Sequence, residues 1–311
     1  MDFRQIQYFA CLFEEGSVTR AARRLNIVQP ALSMQITKLE GALGQKLFER
    51  SAHGMIPTST AHTMYRLYLP ILRDFAHAGE QMLRLEGRMS GRVRIGLIAS
   101  VTNSVLSETL AAFSANYPDV EVSVADGYSA TSIDWVTAGQ LDVALINRPR
   151  RKLVLDVQHV LDEEMVLVAG ATTTLPLPTP VSLKSLPELK LVIPSHRHGL
   201  RGVIEASARA EDINFAPRLE IDSLVPIAEL VAATDFVTVL PSIAVHRHLR
   251  EGTLRAYPIV APRIAREIVA ISHPRRPPSP AAAELVATMA ANLRQAAEVS
   301  KGCEKYISAK S

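Results

Sequence analysis

Two short helical patterns follow one another near the N-terminus with almost no chain between them. The first begins after Ser17, a residue type that caps helices well, and ends before Asn26, which tolerates the left-handed backbone of a tight turn. The second opens with Pro30, which suits the first turn of a helix. Apolar residues then recur at helical spacing, at Leu32, Ile36, Leu39 and Leu43. The spacing predicts two packed helices, the second of them apolar on one face and polar on the other.

Two helices this close together predict a helix-turn-helix, whose second helix can enter the major groove of DNA. Gln29 and Ser33 lie where they could hydrogen-bond to base edges, and Pro30 and Ala31 could contact a thymine methyl group. Lys38 suits a phosphate contact, which positions the protein without reading sequence. The alternative is a helical hairpin inside some other kind of domain.

The next segment, residues 45–59, predicts a short β-hairpin wing in which Arg50 and His53 flank a turn at Gly54. Charge is concentrated in the same part of the chain. Residues 20–66 hold seven basic and two acidic residues, whereas the whole chain carries a net charge of +3. A basic module on a neutral body favours a polyanionic partner, with a solvated basic face as the alternative.

A long helical pattern follows over residues 60–87. Its apolar stripe has nearly heptad spacing, which predicts pairing with a helix of a second chain. Packing against the chain's own body is the alternative. The stripe consists of Met64, Leu67, Ile71, Phe75, Met82 and Leu85.

From residue 92 onward, strand-like segments alternate with helical ones, which predicts a parallel α/β sheet. Ligands bind such sheets beyond the carboxyl ends of the strands, where helix N-termini expose N–H groups. Hydroxyls and cations at these places favour a small organic anion. In the alternative, the hydroxyls only cap helices and the arginine is a surface charge. The residues concerned are Ser100, Thr102, the 128–131 loop with Thr131, His196, His198 and Arg201.

The stretch TRAARRLNIVQPALSMQITKLEGALGQKLFER, from Thr19 to Arg50, resembles the signature of LysR-type transcriptional regulators. The matching elements are AA-x-x-L, QPALS-x-x-I-x-x-LE and LG-x-x-LF-x-R, and the likeness in length and order covers nearly the whole chain. Thr19, Arg20 and Met34 complete the DNA contacts predicted within this signature. Three residues of this stretch depart from the family pattern: Val28 replaces a small hydroxyl residue, Met34 replaces a frequent basic one, and Gly41 replaces an acidic or polar helix former.

The resemblance implies an α/β protein with three parts: an N-terminal winged helix-turn-helix, a long linker helix, and a two-lobed, periplasmic-binding-protein-like regulatory domain. It also implies three partners: double-stranded DNA, a small organic effector held between the lobes, and further copies of the chain in a homodimer or homotetramer. The expected boundaries are 1–58 for DNA binding, 59–89 for the linker and dimerisation helix, 90–300 for the regulatory domain and 301–311 for a tail. Lobe I is expected at 92–161 and 267–300, and lobe II at 162–266.

Other classes of protein find little support in the sequence. No run approaches the roughly 18 apolar residues of a membrane span, the N-terminus lacks the apolar core of a signal peptide, and the two cysteines lie at opposite ends. These features predict a cytoplasmic protein without a membrane segment. A metal could bind His196 with His198 or His246 with His248, but no acidic or cysteine cluster accompanies either pair. With no G-x-S-x-G motif, P-loop or G-x-G-x-x-G motif, we expect no cofactor and no enzyme. A solute-binding protein is a further rival for residues 92–300, which the helix-turn-helix disfavours.

Overall fold

The computed structural model describes residues 1–51, 54–83, 89–214 and 216–308, with side chains except at 73, 76, 77, 79–83 and 299–308. The chain divides into two units, which we describe separately. The N-terminal unit is built from residues 1–87, and the C-terminal unit contains nearly all of the rest. Within the described residues, no helix is both long and apolar enough to cross a membrane.

The N-terminal unit packs three helices, a two-stranded hairpin and a long fourth helix around one small core. The apolar face predicted for the third helix is confirmed, since Leu32, Ile36 and Leu39 are buried. Leu43 was assigned to the same face wrongly, because it is 39% exposed at the end of the helix. The elements are α1 (Phe3–Glu15), α2 (Val18–Arg24), α3 (Gln29–Leu43), β1 (Phe48–Ser51), β2 (Gly54–Pro57) and α4 (Ser59–Leu83).

The turns between these helices adopt the backbone that the sequence predicts. Gly16 and Asn26 both have positive φ angles, of 59° and 53°. The Ser17 hydroxyl accepts a hydrogen bond from the Arg20 N–H and so caps α2. Val28 stands at the N-cap of α3 and provides no side-chain cap, as its departure from the family pattern predicts.

The apolar stripe on α4 divides between core and surface. Met64 is buried in the N-terminal core, whereas Leu67, Ile71 and Phe75 are each more than half exposed. The side chain of Met82 and the whole of Leu85 lie outside the described residues. The exposed part of the stripe is available to a helix of a second chain, and that pairing stays a prediction.

The C-terminal unit alternates strands and helices around two hydrophobic cores. Its strands are β3 (Gly91–Leu97), β4 (Val120–Asp126), β5 (Val143–Asn147), β6 (Asp156–Gly170), β7 (Val181–Ser182), β8 (Val192–Ile193), β9 (Leu219–Glu220), β10 (Val237–Pro241), β11 (Leu254–Val260) and β12 (Ala265–Ser272). Its α-helices are α5 (Ala99–Asn116), α6 (Ser129–Thr137), α7 (Gly199–Ala210), α8 (Leu224–Ala233), α9 (His246–Glu251) and α10 (Pro280–Ser308).

The main sheet has the order β4-β3-β5-β12-β6-β11-β7, with β10 also paired to β6. β3, β4 and β5 run parallel, but β12 is antiparallel to β5 and β6, and β6 is antiparallel to β10 and β11. The sheet is therefore mixed, and the prediction of a parallel sheet is wrong. Antiparallel pairing arises because β6 and β12 carry the chain in opposite directions between the two cores.

Each core defines one lobe. The core of lobe I draws on residues 93–160 and 268–297 and is joined by Ile243, and the core of lobe II draws on residues 165–264. Sequence analysis missed β11, because Pro258 interrupts its pattern and cannot donate a ladder hydrogen bond. It also missed the first half of β6, which is exposed and polar. α10 continues to Ser308, so most of the stretch assigned to a tail is helical.

The hairpin of the N-terminal unit is seated on the end of α1 by a close approach of two glycines. Gly54 has a φ of +124°, and a Cβ added there would lie 2.4 Å from the carbonyl oxygen of Gly16. The same oxygen accepts a hydrogen bond from the Met55 N–H at 2.9 Å. A backbone oxygen held in this way cannot move aside, so only glycine fits at position 54.

We expect Gly54→Ala to destabilise the N-terminal unit by about 1–3 kcal/mol or more, because it combines overpacking with a strained φ. Gly41→Ala is the matched control, since a Cβ there meets nothing within 4 Å and lies in helix α3. That change should stabilise the unit by up to about 1 kcal/mol. Urea unfolding followed by far-ultraviolet circular dichroism measures both, and equal effects would contradict the steric argument.

Candidate DNA-binding surface and effector cavity

The outer face of α3 carries most of the residues predicted to contact DNA. Gln29, Pro30, Met34 and Lys38 are exposed, and Ala31 and Ser33 are partly exposed. The helix turns this face outward because Leu32, Ile36 and Leu39 occupy the opposite side and fill the core. A polar helix face with a buried back has the form needed to enter a major groove.

A shallow depression lies where α2 meets the start of α3. It is lined by Thr19 and Arg23 from α2 and by Gln29, Pro30 and Ser33 from α3, together with neighbouring apolar residues. The structure thus brings four of the predicted residues together. Arg23 was missed by sequence analysis, although it lies within the quoted AARR stretch at the helical spacing that places it beside Thr19.

Some basic residues on α2, α3 and the wing are paired with carboxylates, and others are not. Arg20 and Arg24 are tied to the end of α1: Arg20 contacts the carbonyl and carboxylate of Glu15, and Arg24 pairs with Glu14 at 2.6 Å and with Glu15 at 3.2 Å. Arg20 was predicted as a DNA contact, and this pairing makes it less available for one. Among the described residues, Arg23, Lys38 and Arg50 form no ion pair, and all three are exposed. His53 lies outside the described residues.

Glu40 connects α3 to the wing. It is only 8% exposed, and its Oε1 accepts hydrogen bonds from the Leu47 N–H at 2.8 Å and the Phe48 N–H at 3.2 Å. Its Oε2 lies 2.8 Å from Nζ of Lys46. Burial by itself would raise the pKa of Glu40, but the hydrogen bonds from Lys46, Leu47 and Phe48 outweigh it and hold the pKa below its usual range. A carboxylate on the buried side of α3 therefore fixes where β1 begins.

A cavity of about 380 Å³ lies between the two lobes of the C-terminal unit. Lobe I contributes the start of α5, the loop after β4 and the end of β5, and lobe II contributes the starts of α7 and α8. These are the carboxyl ends of strands that sequence analysis singled out. Its polar lining consists of Ser100, Asn103, Asp126, Tyr128, Ser129, Asn147, His198, Asp222, Ser223 and Arg266.

The floor of this cavity is a buried ion pair. Arg266 on β12 and Glu163 on β6 lie opposite each other in the ladder, with Nη2 and Oε2 2.6 Å apart and both side chains almost fully buried. The guanidinium also donates to Oδ1 of Asn147 at 2.9 Å and to Oγ of Ser100 at 3.0 Å. Sequence analysis missed Arg266, because nothing local distinguishes it from a surface arginine. Its charge is balanced by Glu163, so it adds little net positive charge to the cavity.

Three residues form a triad across the cavity, in which Tyr128 of lobe I contacts Asp222 and His198 of lobe II. The Tyr128 hydroxyl of lobe I donates to Oδ2 of Asp222 in lobe II at 2.9 Å, and its ring packs edge-on against His198 with centroids 5.8 Å apart. Nδ1 of His198 accepts the Leu200 N–H at 3.2 Å and caps α7, so the neutral ring carries its proton on Nε2. Burial lowers the pKa of His198; the Asp222 carboxylate opposes this and Arg266 adds to it, so the net shift is downward and the ring is neutral at neutral pH.

The lobes approach so closely beside this triad that only glycine fits at position 199. A Cβ on Gly199 of α7 would lie 2.9 Å from Nδ2 of Asn147 in lobe I. Asn147 cannot easily turn away, because its Oδ1 is held by Arg266.

The cavity is more acidic than sequence analysis predicts. Asp126 and Asp222 both line it, and its one arginine is already paired. Burial raises the pKa of Asp126. Hydrogen bonds from Ser195 lower the pKa of Asp222, and the Tyr128 hydroxyl adds to the effect. An anion would meet these carboxylates without a free cation to offset them.

Four of the predicted effector contacts do not line the cavity. The Thr102 hydroxyl donates to the Ile98 carbonyl at 3.4 Å and lies 3.5 Å from Oδ1 of Asp126, and neither Thr102 nor Thr131 is part of the cavity lining. His196 is exposed and lies 3.2 Å from Glu205. Arg201, predicted to supply the cation, is buried on the far side of α7, where it pairs with Glu205 at 2.6 Å and Glu220 at 3.0 Å. Of the predicted set, Ser100 and His198 line the cavity, together with Tyr128 and Ser129 from the predicted 128–131 loop.

Neither histidine pair belongs to a cluster of possible metal ligands among the described residues. His246 and His248 lie on helix α9, not on a strand, and the ring of His246 is bonded to the Ile243 carbonyl at 3.0 Å. Within the described part of the chain, no three His, Cys, Asp or Glu side chains group as metal ligands would.

Comparison with known proteins decides the family. Residues 86–294 match the model of the LysR substrate binding domain, and residues 3–62 match that of the bacterial regulatory helix-turn-helix protein, lysR family. The chain belongs to the LysR family. It is a DNA-binding transcriptional regulator with a substrate-binding domain, which confirms the resemblance noted in its signature.

Relatives of this LysR-type chain align over most of its length. The nitrogen assimilation regulatory protein nac of Escherichia coli is 29% identical, over 78% of this chain and 79% of nac. The regulator GbpR of Azospirillum brasilense is 30% identical, over 77% of this chain and 71% of GbpR. Among solved structures, a full-length OxyR variant from Pseudomonas aeruginosa has a TM-score of 0.72 at 22% identity, covering 93% and 94% of the two chains. CbnR bound to its target DNA has a TM-score of 0.63 at 21% identity, covering 96% and 100%.

The depressed pKa of Glu40 gives a prediction of acid sensitivity. The stabilisation that it supplies should be complete above its ordinary pKa of 4.5 and lost as the pH falls through the lower folded value. Glu40→Gln should therefore cost about 1–3 kcal/mol at neutral pH, where a buried charged acceptor is lost, and progressively less in acid. Hydrogen exchange of residues 40–58 in the full-length chain, compared at matched pH, measures the difference. The exposed Glu49→Gln is the control; a gap that stays constant down to pH 3 would contradict this assignment.

Proposed function

We propose that this LysR-type regulator binds promoter DNA through the outer face of α3 and its wing, and responds to a small polar effector in the cavity between its lobes. The observation that carries the proposal is a cavity whose polar lining comes from both lobes and whose floor is the pair of strands joining them. A ligand that contacts both lobes can change their balance of arrangements only through differential affinity for those arrangements. We propose that the protein acts in the cytoplasm by binding and catalyses no reaction.

The lining of the cavity favours a ligand with hydrogen-bond donors. Asp126 and Asp222 accept, while Ser100, Ser129 and the amide of Asn103 can either donate or accept. An ammonium or polyhydroxy group would satisfy the carboxylates without adding to their negative charge. The small organic anion predicted from His198 and Arg201 loses its main support inside this cavity, because Arg201 is not there.

On the DNA side, Gln29→Ala and Ser33→Ala should relax sequence preference, each by about 1–3 kcal/mol of discrimination, if these residues read bases. Arg50→Ala should weaken all duplexes alike and reduce the salt slope of binding by about one unit, as loss of a phosphate contact does. Titrations across salt, on the region upstream of the protein's own gene and on a scrambled duplex, measure both. Equal weakening of both duplexes by Gln29→Ala would remove its base-reading role.

For the effector, substitutions at the neighbouring residues Thr102 and Asn103 distinguish the cavity between the lobes from the site predicted from the sequence. Asn103 lines the cavity, and Thr102 does not. A thermal-shift screen of small amino acids, polyols, carboxylates and sulfonates should yield ligands whose stabilisation disappears in Asn103→Leu and persists in Thr102→Val. The reverse result would restore the site predicted from the sequence alone and exclude this cavity.

We also propose that the exposed α4 stripe pairs with a second copy of the chain, which would bring two DNA-binding units together. Leu67→Asp with Ile71→Asp should lower the mass measured by light scattering, since it places charge on the apolar surface expected to be buried. Arg66→Asp is the control, because Arg66 is exposed beside the stripe. Tyr68→Asp would be unsuitable, because Tyr68 packs on the core. An unchanged mass in the double variant would mean that other surfaces hold the assembly.

A further inference from the structure

A second concave surface lies beside the effector cavity and has the opposite charge. It is a groove of about 950 Å³ that shares Tyr128, Ser129, Asn147, Gly199 and Arg266 with the cavity and continues away from it along α7. Its charged lining comprises one acidic residue, Glu267, and six arginines. The arginines are Arg148, Arg150, Arg151, Arg197, Arg209 and Arg266.

Two of the six arginines are already neutralised. Arg148 pairs with Glu267 at 2.7 Å, and Arg266 with Glu163. Among the described residues, no carboxylate lies within ion-pair distance of the other four, and Arg150, Arg151 and Arg197 are exposed. Arg209 donates to the backbone carbonyl of Glu205, which leaves its charge uncompensated. The groove therefore holds an excess of positive charge, contributed by the loop after β5 in lobe I and by the segment around α7 in lobe II.

Guanidinium groups bind phosphate and carboxylate oxygens through paired hydrogen bonds, and a concave wall of like charges concentrates anions. Pro149, Ile133 and Val203 add apolar surface to the same groove, which suits the organic part of a ligand. Asparagine and serine side chains supply further hydrogen bonds at the end that adjoins the cavity. A single anionic group would engage only one or two of the four uncompensated arginines.

We propose that this arginine groove is a second ligand site, for an organic molecule that carries at least two anionic groups of the phosphate or carboxylate type. The site is separate from the effector cavity in charge and in most of its lining, so the two can be tested independently. Because its cations come from both lobes, a bound polyanion would bridge them. Duplex DNA, a polyanion of another class, is less favoured because the groove is concave and partly apolar.

The test uses the full-length protein and inorganic pyrophosphate as the probe, with inorganic phosphate as the single-group comparison. Isothermal titration should give a dissociation constant for pyrophosphate about tenfold or more below that for phosphate, since additional charge-assisted hydrogen bonds form. Arg150→Gln with Arg151→Gln, and separately Arg197→Gln, should each weaken pyrophosphate binding by about tenfold. Arg255→Gln is the matched control: Arg255 is exposed on β11, forms no ion pair among the described residues and lies outside the groove.

Equal affinities for phosphate and pyrophosphate, or an equal loss in the Arg255 control, would overturn the proposal, because either result means diffuse charge attraction. Displacement of pyrophosphate by scrambled duplex DNA in the wild type would assign the groove to nucleic acid and overturn it as well. Asn103→Leu should leave pyrophosphate binding unchanged. Loss of binding in that variant would show that the probe sits in the effector cavity and that no separate groove site exists.

Discussion

The buried pair of Glu163 and Arg266 is the interaction on which the arrangement of the C-terminal unit depends. Two charges removed from water are costly unless their hydrogen-bonding capacity is satisfied. Here Oε1 of Glu163 accepts the Ile243 N–H at 3.0 Å, while Arg266 reaches both Asn147 and Ser100. The pair thus gathers β5, β6, β12, the start of α5 and the turn before α9 around one point. That network holds Arg266, Asn147 and Ser100, which line the cavity, in place.

The same pairing explains how acidic and basic surfaces can lie side by side. With Arg266 neutralised, Asp126 and Asp222 give the cavity its character, and the unpaired arginines belong to the groove next to it. Carboxylates also pair with some of the arginines in the N-terminal unit, where Glu15 pairs with Arg20 and Glu14 pairs with Arg24. Arg23, Lys38 and Arg50, on α2, α3 and the wing, form no ion pair among the described residues and stay available to a polyanion. In both units, carboxylates determine which cations remain available to a ligand.

Local signals explain why the N-terminal unit was predicted well and the cavity less so. Helical spacing, the Ser17 cap and the Asn26 turn act over a few residues, and apart from Leu43 they are confirmed. The partners in the cavity are far apart in sequence: Arg266 lies 103 residues from Glu163 and 166 from Ser100. No periodicity reveals such a pair. β11 was missed because Pro258 interrupts its pattern, and the first half of β6 because it is exposed and polar. Arg201 shows the opposite error, because a cation beside a helix N-terminus was assumed to face the ligand but pairs with Glu205 and Glu220 behind it.

The fifteen-residue strand β6 runs without interruption from one lobe into the other, and β12 is hydrogen-bonded along its first half. The lobes are therefore connected by a two-stranded ribbon of paired backbone, whose ladder is continuous except for a register shift between Ile268 and Val269. Such a ribbon resists stretching and sharp folding but twists readily, as sheets do. Relative movement of the lobes should therefore be a twisting of this two-stranded ribbon. A lobe movement transmitted by this ribbon would vary continuously in size, and it would reverse once the ligand that causes it dissociates.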